Sequence, residues 1–501
     1  MAFHVEGPLA GMKRRRVLAA ATAGLGTVLA GCADVVDSPL DDDAPSTDDG
    51  DRADDAPADD TTGGDPSIDD WEPHAPSGAD VPGRIDPLGH VLDEVYPFYT
   101  FGDVSPDGEW AVMGAFGVSE HPVSSTLVDL ANLADPTIVH HLERSNDETR
   151  SNDVKLDGHR DGLYYRSMEA NDRDGADPEG GQGIEVIDFG WGEGSPTDPV
   201  VLARLETPDR GVHKLTTHPE ESLLYLVDVD GETDVGVRVV DVTEPADPEI
   251  LSAVGPPGAC HDVEYDPVRE VLHAAYIDGE AEGYVIYDAA DPVALEPIGQ
   301  FRYDDRPGYA TLGEPGFERC HQADYDPERG LAVIGDETGR GIPGGKHVFD
   351  IGWDEGSLTD PVPIGFTHSP DAREMGHGET FWWTTHFHDV VPMDGETLLI
   401  DGGYRQGVWV CNLTDPREPI PTERYATVRG ADAVPDIGDE TPGPSTPPFA
   451  WGAVYNEARD VVFATDSLTG GYTFELTTEP ARGERGRGPD GHYDLEAVLT
   501  D

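Results

Sequence analysis

Short apolar runs that end in an acid recur along this chain, each followed by a turn built on Asp-Pro or a related proline element. Leu127-Val128-Asp129 leads to Asp135-Pro136, Val186-Ile187-Asp188 to Asp198-Pro199, Val239-Val240-Asp241 to Asp247-Pro248, and Ile286-Tyr287-Asp288 to Asp291-Pro292. Val348-Phe349-Asp350 leads to Asp360-Pro361, Val410-Cys411-Asn412 to Asp415-Pro416, and Phe474-Glu475 to Glu479-Pro480. The acid-like position steps through 129, 188, 241, 288, 350, 412 and 475. Each copy reads as strands and turns, with no sustained helical period. In the fourth copy, His261–Tyr265 is an inner strand and Asp266-Pro267-Val268-Arg269 a turn. Val271–Tyr276, Tyr284–Asp288 and Leu295–Phe301 follow as the second, third and outer strands. A repeat of this length built from short strands predicts an all-β fold, a seven-bladed β-propeller spanning residues 93–501. The last copy lacks an obvious fourth strand. Either Tyr493–Leu499 supplies it, or residues near 90–97 pair with it and close the ring, since closure protects sheet edges.

The residues before the repeat read differently. Lys13-Arg14-Arg15-Arg16-Val17-Leu18 opens a short apolar run that ends Leu29-Ala30-Gly31-Cys32. This is similar to a twin-arginine export signal closed by a lipoprotein cleavage box, with lipidation at Cys32 and Met12 as an alternative start. The apolar run is short for a membrane span. Residues 33–75 are rich in Asp, Ala, Pro, Thr and Gly, which predicts a disordered tether between the lipid anchor and the folded domain. The expected location is the cell surface, with the membrane as a partner through the anchor.

Charge sharpens that picture. The net charge is −69, from 101 acids and 32 bases, and the only lysines are 13, 155, 214 and 346. Acids lie in every copy as well as the tether, so the surface repels itself in dilute buffer and is relieved by concentrated salt. The chain therefore reads as a halophile's protein. Nucleic acid is excluded as a partner, because no basic stripe offsets the acids.

The recurring unit resembles the LVIVD repeat, a propeller-type repeat of secreted bacterial and archaeal proteins. The match is carried best by Ala259, His261-Asp262-Val263, Tyr276, Tyr284-Val285-Ile286-Tyr287-Asp288, Asp291-Pro292 and Ile298-Gly299. It covers about residues 95–480. The first and last copies depart most, and the second and fifth share an insertion, Gly190-Trp191-Gly192-Glu193-Gly194 and Gly352-Trp353-Asp354-Glu355-Gly356. The resemblance implies a fold and secretion, with no particular chemistry.

Candidate chemistry comes from equivalent positions. Aligning the copies places His213, His261, His321 and His388 at one position of the inner strand, with Asn152, Gly102 and Trp451 in the other copies. Such positions face a common axis. Four imidazoles there would suit zinc or copper, with Asp262 and Asp389 as orienting groups. Equally, they could tie neighbouring blades by hydrogen bonds. Cys260 and Cys320 precede two of these histidines and, like Cys411, read as small core residues rather than a disulfide framework. Long segments near 303–319, 367–385 and 428–450 enter the last three copies on the same face. These segments and their edges carry Arg306, Arg319, Trp382, Trp383 and His386, candidates for contacting a ligand. No nucleophile elbow or phosphate loop is present, and no catalytic residue is assigned. The expected function is an exported, lipid-anchored module that binds a ligand or protein at one mouth of the channel. The alternative is a zinc or copper carrier, or a metal-dependent enzyme, using the histidines.

Overall fold

The computed structural model describes residues 85–476, apart from 119–120, 172–180, 209, 228–235, 307–316, 318, 338–343, 371–381, 394–395 and 435–445. The leader, Cys32, the tether and the closing candidate at 493–499 lie outside the described residues. Among those described, the chain is all β, with one short 3-10 turn at Ala431–Ala433 and no α-helix.

The strands form a propeller-like series of antiparallel meanders. The first meander is Tyr99–Val104, Trp110–Ala115, Val123–Asp129 and Thr137–Glu143. The second is Val154–Leu156, Leu163–Ala170, Gly183–Asp188 and Val200–Glu206, with Thr149–Arg150 as an added partner of Leu163–Ala170. The third is Lys214–Thr217, Leu223–Val227, Val237–Asp241 and Glu249–Val254; the fourth is Ala259–Asp266, Val271–Asp278, Gly283–Asp288 and Glu296–Phe301. The fifth is Cys320–Asp326, Leu331–Asp336, Gly345–Asp350 and Val362–Thr367; the sixth is Phe387–Met393, Glu396–Gly403, Gly407–Asn412 and Ile420–Tyr425. The last is Ala450–Asn456, Val461–Asp466 and Gly470–Leu476, and its outer strand is Ile85–Val91 from the N-terminal side. Ile85 pairs with Leu476 and Val91 with Gly471, so the closing strand starts before residue 93. The sixth and last meanders merge into one sheet through a single parallel pair, Phe387 with Gly452. A Cβ on Gly452 would stand 2.7 Å from the Phe101 ring, so the close approach needs glycine there.

The repeated acid has a local task. Asp129, Asp241, Asp288 and Asn412 each accept the backbone N–H two residues on, at 2.8, 2.7, 2.9 and 2.8 Å. This Asx turn ends the third strand and starts the Pro-containing connection. In the two copies with the insertion, Asp188 and Asp350 each accept four backbone N–H groups, between 2.7 and 3.0 Å. Burial opposes ionisation of these two carboxyls, but the four amides outweigh it and hold both below the usual range.

Second and third strands are buried on both faces, while outer strands such as Glu249–Val254 are mostly exposed. Apolar clusters sit between neighbouring meanders; Leu163, Val186, Leu215, Leu226 and Val240 form one between the second and third. The first strands lie against one another in chain order, and Tyr99–Val104 lies against Ala450–Asn456, so the series returns to its start. Carboxylates stitch these strands together. Asp103 accepts from Leu156 N at 2.7 Å, Asp153 from Leu215 N at 2.9 Å, Asp262 from Ala323 N at 3.1 Å and Asp389 from Tyr455 N at 2.6 Å.

Candidate metal centre in the axial channel

Side chains of the first strands fill the space they enclose in layers. At the strand ends, Lys155 Nζ lies 3.3 Å from Glu264, which also accepts from Thr216 at 3.0 Å. Asp324 and Asp389 are close by, and burial plus their mutual proximity pushes the Asp324 carboxyl well above the ordinary range. In the middle, Lys214 Nζ lies 3.5 Å from Asp153 and 3.6 Å from Asp262, sandwiched between the rings of Phe101 and Phe387 at 3.9 and 4.1 Å. The histidines form the layer at the strand beginnings.

His213, His261, His321 and His386 lie in a row with their rings tilted to one another, the centroids 4.5, 3.9 and 4.7 Å apart. All four are at most 1% exposed. Breaks in ladder register flank His261 and precede Gln322, and they bring His261 and His321 inward at the strand entrances. The sixth meander has no such break: Phe387 pairs with Gly402 and His388 with Asp401 in regular register. Phe387 therefore takes the place of Asp262 and Gln322, and the axial histidine is the residue before it, His386. His388 does not join the cluster. Its Nδ1 is 2.9 Å from Lys346 Nζ and its Nε2 is 3.3 Å from Val333 O, between the fifth and sixth meanders. The alignment that placed His388 at the axis is corrected by one alternation of the strand.

The hydrogen bonds fix the orientation of three rings. His213 Nδ1 faces Glu169 at 3.2 Å, and its Nε2 is 3.1 Å from the Asn152 side-chain nitrogen. His261 Nδ1 donates to His321 O at 2.8 Å, and His386 Nδ1 donates to Trp451 O. In the last two the Nε2 lone pair is left for another partner. For His386 that partner is the Tyr404 hydroxyl, 3.0 Å away. His321 Nε2 lies 3.6 Å from Glu337, and the ligand atoms of His321, Glu337 and His386 all fall within 4.8 Å of one another. Burial, and then the neighbouring His213 and His386, lower the pKa of His261 well below the ordinary imidazole value; burial and His261 do the same to His321. Burial also lowers His386, against the carbonyl of Trp451, which favours the protonated ring. All three are neutral at pH 7, the form that binds metals.

The remaining expected residues divide. Arg319 reaches the cluster, with its Nη1 3.8 Å from Glu337. Trp382 packs edge-on to Tyr404 and Phe449, at 5.7 and 5.5 Å, beside it. Trp383 is core: it is buried, donates to Ser369 at 3.1 Å and carries Arg424 over its ring. Arg306 pairs with Asp360 on the rim and stacks over Phe301, away from the histidines. Cys260, Cys320 and Cys411 are buried and form no disulfide, burial pushes the Cys320 thiol well above its usual pKa, and none of the three belongs to the converging set.

Sequence reasoning missed Glu169, Glu337 and Tyr404. Each stands at or just beyond the end of a second strand, 16 to 18 residues after the axial residue of its own copy: Asn152, His321 and His386. That spacing, with an acid or phenol ending an apolar run, was the available signal. Elsewhere, a cleft of about 220 Å³ opens at the far end between the first two meanders, lined by Ser105, Trp110, Asp157, Arg160 and Phe189. None of the axial histidines lines it.

No family model matches the chain, and no curated protein matches it. Two solved structures of Sqt1 from Chaetomium thermophilum align with 78% of this chain, covering 100% and 98% of theirs, at 11% identity. Their TM-scores are 0.49 and 0.48, a likeness too loose to bear on this chain's function.

Proposed function

We propose that this chain is a metalloprotein: an exported, lipid-anchored β-propeller of seven blades that holds a transition-metal ion at one end of its axial channel. The observation that carries the metal reading is the convergence of His321, Glu337 and His386 within 4.8 Å. It is supported by the Trp451 carbonyl that engages the outer nitrogen of His386, the arrangement that orients metal-ligating imidazoles. Two imidazoles and a carboxylate suit Zn(II), Cu(II) or iron, and the lack of thiolate or thioether in the set disfavours Cu(I). Three ligands leave room in the coordination sphere for further donors, as in sites that handle a substrate rather than closed structural ones. A ligand entering from the loop side would meet Arg319 and Trp382 beside the ion, so the ligand-binding reading and the metal reading share one mouth.

The seven-blade reading draws support from the cyclic contact of the first strands and from the N-terminal strand that completes the last sheet. Export and anchoring rest on the leader ending at Cys32, and salt adaptation on the charge of −69.

The test is metal analysis of the full chain purified in concentrated salt. About one ion per chain is expected, and none in the His321→Ala/His386→Ala protein. A folded wild-type chain that takes up neither zinc, copper nor iron, even when each is supplied, would sink the reading.

A further inference from the structure

We infer that Tyr404 is a further ligand of this metal centre, coordinating through its phenolate oxygen beside His386. The inference rests on the metal reading above and adds a residue to it.

The fold places Tyr404 where two glutamates stand in other meanders. Glu169 is the penultimate residue of one second strand, Leu163–Ala170, and Glu337 and Tyr404 directly follow two others, Leu331–Asp336 and Glu396–Gly403. Each directs an oxygen at an axial imidazole: Glu169 at His213 (3.2 Å), Glu337 at His321 (3.6 Å) and Tyr404 at His386 (3.0 Å). An oxygen at this position is thus a repeated device of the channel, and in the sixth meander it is a phenol.

The hydrogen bonding then fixes what that oxygen meets. His386 Nδ1 is committed to Trp451 O, so Nε2 carries the lone pair and the Tyr404 hydroxyl donates to it. The same Nε2 is the atom left to bind an ion. Two atoms bound to one ion at about 2.0–2.2 Å, with bond angles between square and tetrahedral, stand roughly 3.0–3.5 Å apart. The observed 3.0 Å already has that spacing. An ion can take the place of the shared proton: the O–H bond breaks, the O–metal and N–metal bonds form, and the proton leaves to solvent. No oxidant or reductant is needed.

Tyr404 has little freedom to swing away. It is fully buried, with its ring centroid 4.4 Å from His386, 4.5 Å from Phe449 and 5.7 Å from both Trp382 and Trp451. A carboxylate and a phenolate together add two negative charges, which favours hard, oxidised ions such as Cu(II) or Fe(III) over Cu(I).

The experiment adds Cu(II) to the metal-free full chain in concentrated salt. A phenolate-to-Cu(II) charge-transfer band in the visible is expected, with phenolate modes in the resonance Raman spectrum excited within it. Tyr404→Phe should still bind one Cu(II), about tenfold or more weakly, and lose the band and the modes. A wild-type Cu(II) protein without phenolate modes overturns the inference, whether or not the variant folds. So does a Tyr404→Phe protein with wild-type spectrum and affinity. In both cases the bound copper leaves the metal centre itself standing. A wild type that binds no metal overturns the centre and this inference together.

Discussion

Two buried glutamates adjoin the same row of imidazoles, and the chain surrounds them differently. Glu169 receives Arg150 at 3.0 Å and Arg210 at 3.1 Å, besides His213 at 3.2 Å. Burial opposes its charge, but Arg150, His213 and Arg210 hold its carboxyl well below the usual range. Glu337 faces the Arg319 guanidinium at 3.8 Å among the described residues, and two imidazoles at ligand spacing. A buried carboxylate needs positive charge close by. Around Glu169 the protein supplies it from the side chains of two arginines, and Asn152 engages the remaining nitrogen of His213. Around Glu337 the groups at ligand spacing are two imidazoles, a donor set that complements a metal ion. One end of the row is a finished ion-pair network, and the other has the donor set of a site.

The largest effect that separates the two ends is metal content. His321→Ala/His386→Ala should reduce bound metal from about one ion per chain to none. His213→Ala and His388→Ala should leave it unchanged, because neither belongs to the converging set. Elemental analysis in concentrated salt distinguishes these. Loss of metal in the His213 variant alone would reverse the assignment of the two ends.

Next come the glutamates themselves. Glu337→Gln should weaken metal binding by about 100-fold or more, since it removes the anionic ligand, and should alter the stability of the metal-free protein little. Glu169→Gln should do the opposite. It leaves Arg150 and Arg210 buried beside a neutral amide, a loss of about 3–5 kcal/mol by analogy with broken buried ion pairs, with metal affinity retained. Denaturant midpoints and metal titrations on the two variants check both halves. Equal effects on stability would dissolve the contrast.

How much of this was legible beforehand follows from what repeats. The seven-fold phrase exposed the strand-and-turn scheme, and the Asx turns at residues 129, 241, 288 and 412 are its physical cause. His213, His261 and His321 were readable as axial because their copies share a frame. His388 misled because His386 and His388 face the same side of one strand, and only the register break tells which reaches the axis. Glu337 and Tyr404 were hidden because their partners come from adjacent strands, which a linear pattern does not juxtapose. The lysines carried an unread hint. All three lysines among the described residues, Lys155, Lys214 and Lys346, lie buried beside acids. In so acidic a chain, a lysine marks the interior.

The contrast also has a pH signature. His261, His321 and His386 have folded pKa values below the unfolded value near 6.5, so above that pH both states are neutral and nothing is lost. As pH falls below about 6.5 the unfolded chain binds protons that the native rings refuse, and stability drops by up to about 1.4 kcal/mol per pH unit for each ring. Glu169 is depressed in the native state, so its contribution is present above about pH 4.5 and is lost only as pH falls further, towards its folded value. Metal-free protein should therefore weaken in two stages, the first near pH 6 and the second well below pH 4.5. Bound metal should delay the first stage alone, because an ion on the imidazoles excludes the proton. Unfolding midpoints between pH 8 and pH 4, with and without Zn(II), read this directly. A metal effect confined to the lower stage would place the ion at Glu169.

The smallest effects come from the arginines, and they test the contrast most finely. Arg210 Nη2 donates to Glu169 at 3.1 Å and is largely buried, so Arg210→Gln should destabilise the protein by about 1–3 kcal/mol while leaving metal affinity alone. Arg319 Nη1 stands 3.8 Å from Glu337, outside hydrogen-bond reach, and its side chain keeps 17% of its exposure. It lends Glu337 some positive charge but also competes with an incoming cation. Arg319→Gln should therefore leave stability within about 0.5 kcal/mol. Removing a like charge beside the ion should tighten metal binding by roughly 2–5-fold, an effect that shrinks as salt screens it. Isothermal titration with Zn(II) at two salt concentrations measures the change. Weaker binding in Arg319→Gln would mean that the guanidinium positions the Glu337 carboxylate for the ion, and that the two glutamates depend on arginine alike.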